Sequence, residues 1–507
     1  MTDRIVAVLL AGAMLCVVDG RAAASVPADH SLSTRARVLL ERRWPLMPTD
    51  LAVADRPAAA ARETPDAMAP LDVRPALDDA QAWQRIATTQ YLMGDVTGAL
   101  GSWNRNGRPS IDAIAVHGAI RTRPSVLVHA AGLRPHDVLT PETFRRALRR
   151  VRDVPVVSSA TMNYQAVDGG LAIVDVDIRE RHRVPSGWGA LGTVAARAIF
   201  LNELRLDVAG ALGAGEVASA AWRWSAGRPR VTLGLALPAP WRLPGIVSID
   251  GSWERQTYDA TPTSDVETLV LEQRVRAGFR LSDWATSWLR VEGGAAIDRL
   301  REYVDAGAPR AVSRDYLALE SSVSARLAGD RIAVTASGGW WAPPAGGRPF
   351  GTGALLATWR STIDLTSPVW SAITGIGVAS WLAPPAIWLG AGTGEGRVAL
   401  LRAHRLVNSG VITGPVFGRG LAHASLEYAR PVKHMKSADL SIAGFVDAAQ
   451  AWHRLNGFDT SPLYVDAGVG LRVRTPGPNG AIRLDVAHGL RGGGTTFSAS
   501  WGGAWRR

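Results

Sequence analysis

The stretch TTFSASWGGAW, residues 495–505, decides the fold class of this chain. Phe497, Ala499, Trp501 and Trp505 fall at alternate positions, with small or polar residues between them. Three earlier segments alternate in the same way, at residues 440–452, 464–474 and 481–488. A period of two with one apolar face predicts β-strands. A soluble β-sandwich also alternates, so the pattern alone leaves two classes of β-protein open.

The composition of the 507-residue chain suits a β-barrel in a membrane. No apolar run reaches the roughly 18 residues that a transmembrane helix needs, so a helical membrane protein is excluded. A transmembrane barrel conceals its membrane signal because apolar and polar residues alternate along each strand. The 53 glycines and 19 tryptophans suit turn-rich strands with aromatic belts at the two membrane interfaces.

The N-terminus predicts secretion. Arg4, the apolar run 5–18 and the small residues at 22–24 together predict a signal peptide over residues 1–24. Cys16, the sole cysteine, lies inside this signal, so no disulfide is expected in the mature chain. The net charge of +11 could indicate nucleic acid, but secretion argues against that partner. Residues 25–77, rich in Ala, Pro, Asp and Arg, predict a partly disordered linker.

Two small folded regions are predicted between the linker and the β-rich half. Residues 78–109 show helical spacing and resemble a single tetratricopeptide unit, although an ordinary helical hairpin fits equally well. Residues 110–182 predict the order strand, helix, helix, strand, strand. Thr140 caps the second of these helices, and Pro141 occupies its first turn. This order of elements predicts a compact α+β domain.

Residues 189–507 are predicted to form sixteen strands. The first, 191–201, fits a helix as an alternative. About twenty residues per strand and connection suit strands of about ten residues that cross a bilayer at a tilt. If the N-terminal regions lie in the periplasm, the connections after even-numbered strands must lie there too. Short, turn-like connections fall at these positions, at residues 238–244, 431–437 and 475–479. The sequence thus predicts an antiparallel barrel with its N-terminal regions at the end of the short turns.

Several short sequence segments along the last strands resemble one protein family. They are Phe445-Val446-Asp447-Ala448, then Gly468-Val469-Gly470-Leu471-Arg472, then Thr475-Pro476-Gly477-Pro478 and Ile482-Arg483-Leu484-Asp485. This series is similar to the C-terminal end of the BamA/TamA superfamily of outer-membrane assembly barrels, also called bacterial surface antigens. The resemblance implies a sixteen-stranded antiparallel transmembrane β-barrel. The domain at 110–182 resembles one POTRA domain, the periplasmic module of that superfamily.

The longest predicted connection, about residues 383–420, contains Leu401-Arg402-Ala403-His404. The superfamily folds its sixth outer loop into the barrel, tipped by an Arg-Gly-aromatic motif, and this segment is similar to it. Ala403 stands in place of the glycine and His404 in place of the aromatic residue. The resemblance implies that Arg402 binds Glu427 and Asp447 inside the lumen, because a guanidinium in a low-dielectric lumen needs carboxylate partners. A solvated Arg402 is the alternative.

Two further surfaces follow from the resemblance. The POTRA-like domain should present a strand edge along residues 156–164, and Val156, Val157 and Tyr164 are its predicted docking residues. A mere spacer domain is the alternative. The closing strand, with Phe497, Trp501 and Trp505, should pair with the first strand at a seam that can open. Glycines in and before this strand would weaken the packing there.

The function that the resemblance implies is insertion of outer-membrane proteins or translocation of proteins across the outer membrane. The expected partners are unfolded outer-membrane or secreted proteins, outer-membrane lipid and lipopolysaccharide, and periplasmic or lipoprotein accessory subunits. The ten histidines show no metal-ligand spacing, and no nucleophile elbow or phosphate-binding loop is present. Neither an enzyme nor a metal or other cofactor is therefore expected. The alternative function is a passive channel or surface-structural protein whose pore a loop plugs.

Overall fold

A computed structural model describes residues 79–501 apart from 187, 226, 242, 260–268, 305–309, 365–366, 394–400, 436–437, 455–459 and 475–480. The predicted signal peptide, the linker and Trp505 lie outside the described residues. Residues 79–165 and 172–501 belong to one compact unit. The prediction of a mainly β chain with a large antiparallel sheet is confirmed. No helix in the described part of the chain is long and apolar enough to cross a bilayer.

The described chain begins with a helical hairpin, α1 (Ala80–Leu92) and α2 (Val96–Trp103). Each helix begins at an aspartate that caps it: Asp79 accepts the N–H of Ala82, and Asp95 accepts that of Gly98, both at 2.8 Å. One face of the hairpin is buried, and the Trp103 ring lies there, only 3% exposed. The hairpin therefore leans on a neighbour, as a single repeat unit must.

That neighbour is a small α+β domain, which we call the module. It contains β1 (Ser110–His117), α3 (Pro124–Ala131), α4 (Pro141–Asp153), β2 (Val157–Val167) and β3 (Leu171–Glu180). The strand order is β1-β3-β2, so β2 is an edge strand. A capping box between Thr140 and Thr143 begins α4, and Phe144, Ala147 and Val151 form its buried stripe.

Gly118 ends β1 in a conformation that favours glycine. Its φ is +77°, and a Cβ built there would overlap the carbonyl oxygen of Ile178. We expect Gly118→Ala to destabilise the module by about 2 kcal/mol or more, because positive φ alone costs an L-residue about 1–2 kcal/mol. Limited proteolysis of the module would report the loss. Gly107→Ala is the matched control, since Gly107 also has positive φ (+66°) but no atom within 4 Å of its Cβ position. Equal effects would rule out the close approach as the cause.

The large sheet begins at β4 and runs through most of the chain. Its strands before the longest connection are β4 (Glu203–Ala209), β5 (Val217–Arg223), β6 (Arg230–Pro238), β7 (Ile246–Asp259), β8 (Leu269–Trp284), β9 (Leu289–Val304), β10 (Arg310–Leu327), β11 (Ile332–Ala342), β12 (Phe350–Arg360) and β13 (Val369–Ala379). Three two-residue strands lie within that connection: β14 (Leu389–Gly390), β15 (Val407–Asn408) and β16 (Val411–Ile412). The strands after it are β17 (Phe417–Met435), β18 (Ala438–Arg454), β19 (Tyr464–Arg474), β20 (Ala481–Gly489) and β21 (Thr495–Trp501).

The strand order is that of a closed barrel, with β21 next to β4. Each long strand pairs antiparallel with the next, and β13 pairs directly with β17. Paired residues are defined for every one of these neighbours.

The prediction of a first strand at residues 191–201 is wrong. That segment lies in a helix, α5 (Trp188–Leu201), and the sheet begins at β4. The alanines at 190, 195, 196 and 198 favour a helix more strongly than the weak alternation favours a strand. An ion pair between Arg197 and Glu203 joins α5 to β4. The described sheet consequently has fifteen strands of seven residues or more, and the helix takes the place of the predicted first strand.

The two faces of the sheet decide between a soluble sandwich and a membrane barrel. Large apolar side chains point outward and are exposed, as Val469 (61%) and Phe497 (62%) show. Charged side chains on the opposite face are buried, as Asp298 and Asp447 (both 0% exposed) show. A soluble sandwich buries the apolar face, whereas a barrel in lipid exposes it. The sheet is built in the second way.

The module contacts one end of the barrel through α4. Arg150 donates to both carboxylate oxygens of Asp283 at 2.8 and 2.5 Å, and Arg149 donates to Asp330 at 2.6 Å. Asp153 accepts from the indole of Trp284 at 2.9 Å. Burial raises the pKa of the Asp153 carboxyl, and the nearby Arg290 opposes that rise. These contacts, together with one from Arg123 to Gly213, involve the ends of β8 and the turns after β4 and β10, so alternate connections face the module.

Candidate functional site

The long connection between β13 and β17, residues 380–416, lies inside the barrel, and we call it the plug loop. Near its start, β14 pairs with β17, where Leu389 lies opposite Gly418. Near its end, β16 pairs in parallel with β7, where Val411 lies opposite Thr257. Since β7 and β17 belong to different parts of the wall, the plug loop crosses the lumen.

Apolar contacts hold the plug loop to the wall. Trp388, Leu406 and Ile412 from the loop are each no more than 3% exposed. They form one buried cluster with aromatic side chains from five wall strands: Tyr258, Tyr316, Trp341, Phe350 and Phe417. Burial of a large apolar side chain contributes about 1.5–3 kcal/mol, so these three loop residues anchor the loop strongly.

Arg402 places the loop against a group of carboxylates. Its Nη1 lies 3.2 Å from Glu427 and 3.5 Å from Asp485, and its Nε lies 3.0 Å from Asp447. The guanidinium also stacks over the Phe445 ring, 3.7 Å from the ring centroid. Arg402 is only 7% exposed, so it is not a solvated side chain. The structure thus brings together the three residues that the resemblance named, and adds Asp485 to them.

Arg472 is a second arginine in the same group, and sequence reasoning missed it. It donates to both oxygens of Glu427 at 2.9 and 2.7 Å, and to Asp485 at 2.5 Å. The sequence feature that could have identified it is its position in the family-like segment Gly468-Val469-Gly470-Leu471-Arg472 on β19, where it faces the lumen. Its partners could not be inferred from alternation alone, because alternation fixes the face of a strand but not the register with its neighbours.

This cluster buries two positive and three negative side chains against one another. Glu427, Asp447 and Asp485 are each no more than 8% exposed, and Arg402 and Arg472 lie between them. Asp447 also accepts the Ser425 hydroxyl at 2.6 Å. Removal of one member of a buried ion pair costs more than the pair contributes, because the remaining charge is left without compensation. The cluster therefore links β17, β18, β19 and β20 to the plug loop.

The two departures from the family motif have defined places. Ala403 is not among the residues with positive φ, so the loop tip does not require glycine there. Its N–H donates to Asp466 Oδ2 at 2.6 Å. His404 contacts Asp466 Oδ1 through Nδ1 at 2.7 Å, and the Arg491 carbonyl through Nε2 at 2.9 Å. The imidazole lies edge-on to the Tyr464 ring at 4.7 Å, where the family has an aromatic side chain.

The last strands of this wall match a known protein family. Residues 405–498 match the Omp85 superfamily domain. The chain carries an Omp85 superfamily domain. The resemblance to the BamA/TamA superfamily is thereby confirmed, and Omp85 proteins are outer-membrane β-barrels that assemble or translocate proteins. The match covers β17 to β21 and the end of the plug loop, beginning three residues after Arg402.

Several solved structures are similar to this chain. CdiB from Escherichia coli is 14% identical, with a TM-score of 0.55 over 94% of this chain and 98% of that one. CdiB from Acinetobacter baumannii (12% identity, TM-score 0.49, 93% and 95% coverage) is also similar. So is BamA from Haemophilus ducreyi lacking POTRA domains 1-3 (13% identity, TM-score 0.46, 77% and 84% coverage). No curated protein matches the chain significantly in sequence.

The predicted docking residues of the module are core residues. Val156, Val157 and Tyr164 are each no more than 3% exposed, so their side chains cannot receive a guest strand. The Tyr164 ring packs on Tyr91 and Trp103 of the helical hairpin, with centroids 5.4 and 6.2 Å apart. Alternation along β2 identifies one apolar face, and helices cover that face, so a guest strand could bind only through the main chain of this edge. The exposed side chains of β2 alternate with the buried ones.

The closing strand of the Omp85 domain faces lipid on one side and the plug loop on the other. Phe497 points outward, whereas the hydroxyl of Thr496 donates to the Ala403 carbonyl at 3.3 Å. Trp501 ends β21, and its side chain lies outside the described part of the chain, as does Trp505. Within the described residues, no group of three or more His, Cys, Asp or Glu side chains is placed to hold a metal ion.

Proposed function

We propose that this Omp85 barrel receives unfolded outer-membrane or secreted proteins from the periplasm, and inserts them into the outer membrane or passes them across it. The observation that carries the proposal is the module with an edge strand, attached by α4 to one mouth of a plugged barrel. A porin needs no such module. The module and helical hairpin would lie in the periplasm, because they sit at the barrel end of the short turns after β4 and β10.

The edge of β2 is the proposed entry point. A strand edge can bind a guest strand through main-chain hydrogen bonds, without requiring particular side chains. The exposed face of β2 carries small polar side chains, which tolerate many guest sequences: Ser159, Thr161, Asn163 and Gln165. Parts of the edge are occupied by other contacts, since the Val156 N–H donates to Gly215 and Arg152 donates to the Ala160 carbonyl. A guest must displace the Arg152 contact.

The seam between β21 and β4 is the proposed exit into the membrane. Within the described residues β4 and β21 have seven residues each, so they can share fewer main-chain hydrogen bonds than the longer strands of the wall. Weak pairing would expose two strand edges, and an exposed edge templates new strands. The outward apolar residues of the wall, including Leu355, Leu426 and Val486, would meet lipid. Lipopolysaccharide and periplasmic or lipoprotein accessory subunits are further proposed partners.

Depletion of the protein in its own cell, followed by a census of outer-membrane and secreted proteins, tests the proposal. We expect specific proteins to disappear from the census, and complementation with Ala160→Pro to fail, because proline lacks the N–H that a guest strand would bind on this edge. Ala160→Gly is the matched control and should restore the census, since it keeps that N–H. Proteolysis of the module must show that the proline variant is folded.

A passive channel is the second candidate function, because the plug loop crosses a lumen lined with charged side chains. It predicts a different result in the same cells. An unchanged protein census, together with altered uptake of small solutes, would contradict the assembly or translocation function and support the channel.

A further inference from the structure

Three arginines lie close together on neighbouring strands of the barrel wall. They are Arg255 on β7 and Arg299 and Arg301 on β9. Gln273 on β8 lies opposite both Arg255 and Arg301, so these two arginines are two strand spacings apart, about 10 Å. Arg299 and Arg301 are separated by one residue and therefore point to the same side of the sheet.

The exposure of nearby residues shows that these arginines point away from the lumen. Ile297 on β9 is 66% exposed on the outward face, and Arg299 and Arg301 follow it at alternate positions. Ile249 on β7 is 51% exposed, and Arg255 has the same parity along that strand. Because successive side chains of a strand alternate between faces, all three arginines share the outward face of the wall.

The arginines lie toward the end of the barrel opposite the module. The turn between β8 and β9 is at the module end, since Arg150 binds Asp283 and Arg146 donates to the Ala285 carbonyl there. From that turn β9 runs away from the module, and Arg299 and Arg301 belong to its far half. If the module lies in the periplasm, as proposed above, the arginines lie on the side of the outer leaflet.

The wall between the arginines and the module end is apolar on its outward face. Ile297 and its partner Leu317 on β10 are 66% and 48% exposed, and Phe279 on β8 is 48% exposed. An outward arginine is costly at the centre of a bilayer and costs little near its surface. The three arginines therefore mark the level at which the wall leaves the hydrocarbon and meets the lipid head groups.

Carboxylates compensate only part of this positive charge. Arg299 donates to both oxygens of Asp315, at 2.6 and 2.9 Å. Among the residues that the structure describes, Arg255 and Arg301 form no ion pair and no side-chain hydrogen bond. We call Arg255, Arg299, Arg301 and Asp315 the arginine patch. Three arginines and one aspartate leave it with an excess of two positive charges.

We propose that the arginine patch binds the phosphate groups of lipopolysaccharide in the outer leaflet. A guanidinium fits a phosphate with parallel hydrogen bonds, which a free arginine at this level can supply. Lipopolysaccharide carries phosphates on its sugars directly above its acyl chains. The wall presents the matching order, with arginines above apolar side chains. The inference deepens the proposed partnership with this lipid and rests on the proposed periplasmic position of the module.

Native mass spectrometry of the purified full chain in detergent, titrated with lipopolysaccharide of short sugar chain, tests the proposal. We expect wild type to retain bound lipopolysaccharide. The double variant Arg255→Gln, Arg301→Gln should bind it about tenfold or more weakly, because a hydrogen bond to a charged group contributes about that factor. Heat-modifiable migration on semi-native gels should show that the variant barrel is folded.

Arg430→Gln is the matched control. Arg430 is an exposed arginine near the module end of β17, and it lies opposite Ile442, which is 51% exposed on the outward face. The substitution removes one outward positive charge but leaves the arginine patch intact. It should therefore keep the affinity of wild type. A loss as large as that of the double variant would show that the lipid responds to charge anywhere on the wall, and would overturn the proposal.

Two other lipids distinguish the possible ligands. Dephosphorylated lipopolysaccharide and phosphatidylglycerol should both bind wild type more weakly than lipopolysaccharide does. Equal binding of the dephosphorylated lipid would show that the patch does not recognise phosphate. If phosphatidylglycerol binds more tightly and the double variant loses it, the patch faces the inner leaflet, and the periplasmic position of the module falls as well. If no lipid binds, the patch inference fails alone, because the census of depleted cells tests the proposed function separately.

Discussion

Replacing Arg472 by alanine should lower the free energy of unfolding of the barrel by about 3–5 kcal/mol. Arg472 is 6% exposed and joins Glu427 on β17 to Asp485 on β20 through three short hydrogen bonds. Without it, Glu427 and Asp485 keep Arg402, at 3.2 and 3.5 Å, and the nearby charge of Arg483. Heat-modifiable migration in detergent would report the loss as a lower temperature of barrel unfolding.

A matched substitution separates this effect from the loss of any arginine on a strand. Arg299 pairs with Asp315 at 2.6 Å, but both side chains are about half exposed. Exposed ion pairs contribute only about 0–1 kcal/mol, so Arg299→Ala should leave the unfolding temperature almost unchanged. A similar decrease in both variants would contradict a structural role for the buried cluster.

Replacing Arg402 by alanine should open the lumen and also reduce resistance to heat. Arg402 belongs to the plug loop, whereas its partners Glu427, Asp447 and Asp485 belong to the wall. In the variant, Arg472 still compensates Glu427 and Asp485, so the wall should lose less stability than in Arg472→Ala. The loop loses its charged anchor, and we expect ionic conductance in planar bilayers to rise from near zero to clearly resolved currents.

A charge-preserving variant sharpens the test. Arg402→Lys keeps the positive charge but replaces a planar fork of donors by a single ammonium, which cannot reach three carboxylates at once. Its conductance should lie between those of wild type and Arg402→Ala. If Arg402→Ala migrates and conducts as wild type does, the cluster neither pins the loop nor stabilises the barrel.

Much of the barrel could be predicted from alternation, and the exceptions have clear causes. The segments around Phe497 and Val469 alternate and form strands. Residues 191–201 form a helix instead, because several alanines favour helix and the alternation there is weak. Val156 and Tyr164 were named as docking residues from the resemblance to a POTRA domain, which does not show what covers the apolar face of the edge strand. Helices cover that face here.

The charged cluster, too, was predicted only in part. The family resemblance named Arg402, Glu427 and Asp447, and the structure brings Arg402 within hydrogen-bond distance of both carboxylates. Arg472 and Asp466 were not assigned as partners, because their contacts depend on strand register and on the path of the plug loop. Neither property is encoded in the spacing of residues along one strand.

By itself, the sequence determined that the C-terminal half forms antiparallel strands with one apolar face. Successive side chains of a strand point to opposite faces, so apolar residues at every second position must share one face. Through a few segments that resemble the family, it also indicated that Arg402 pairs with Glu427 and Asp447. Only the tertiary structure decided that the apolar face points outward, that a helix precedes the sheet, and that His404 contacts Asp466. These features depend on contacts between residues far apart in the chain, which local periodicity does not specify.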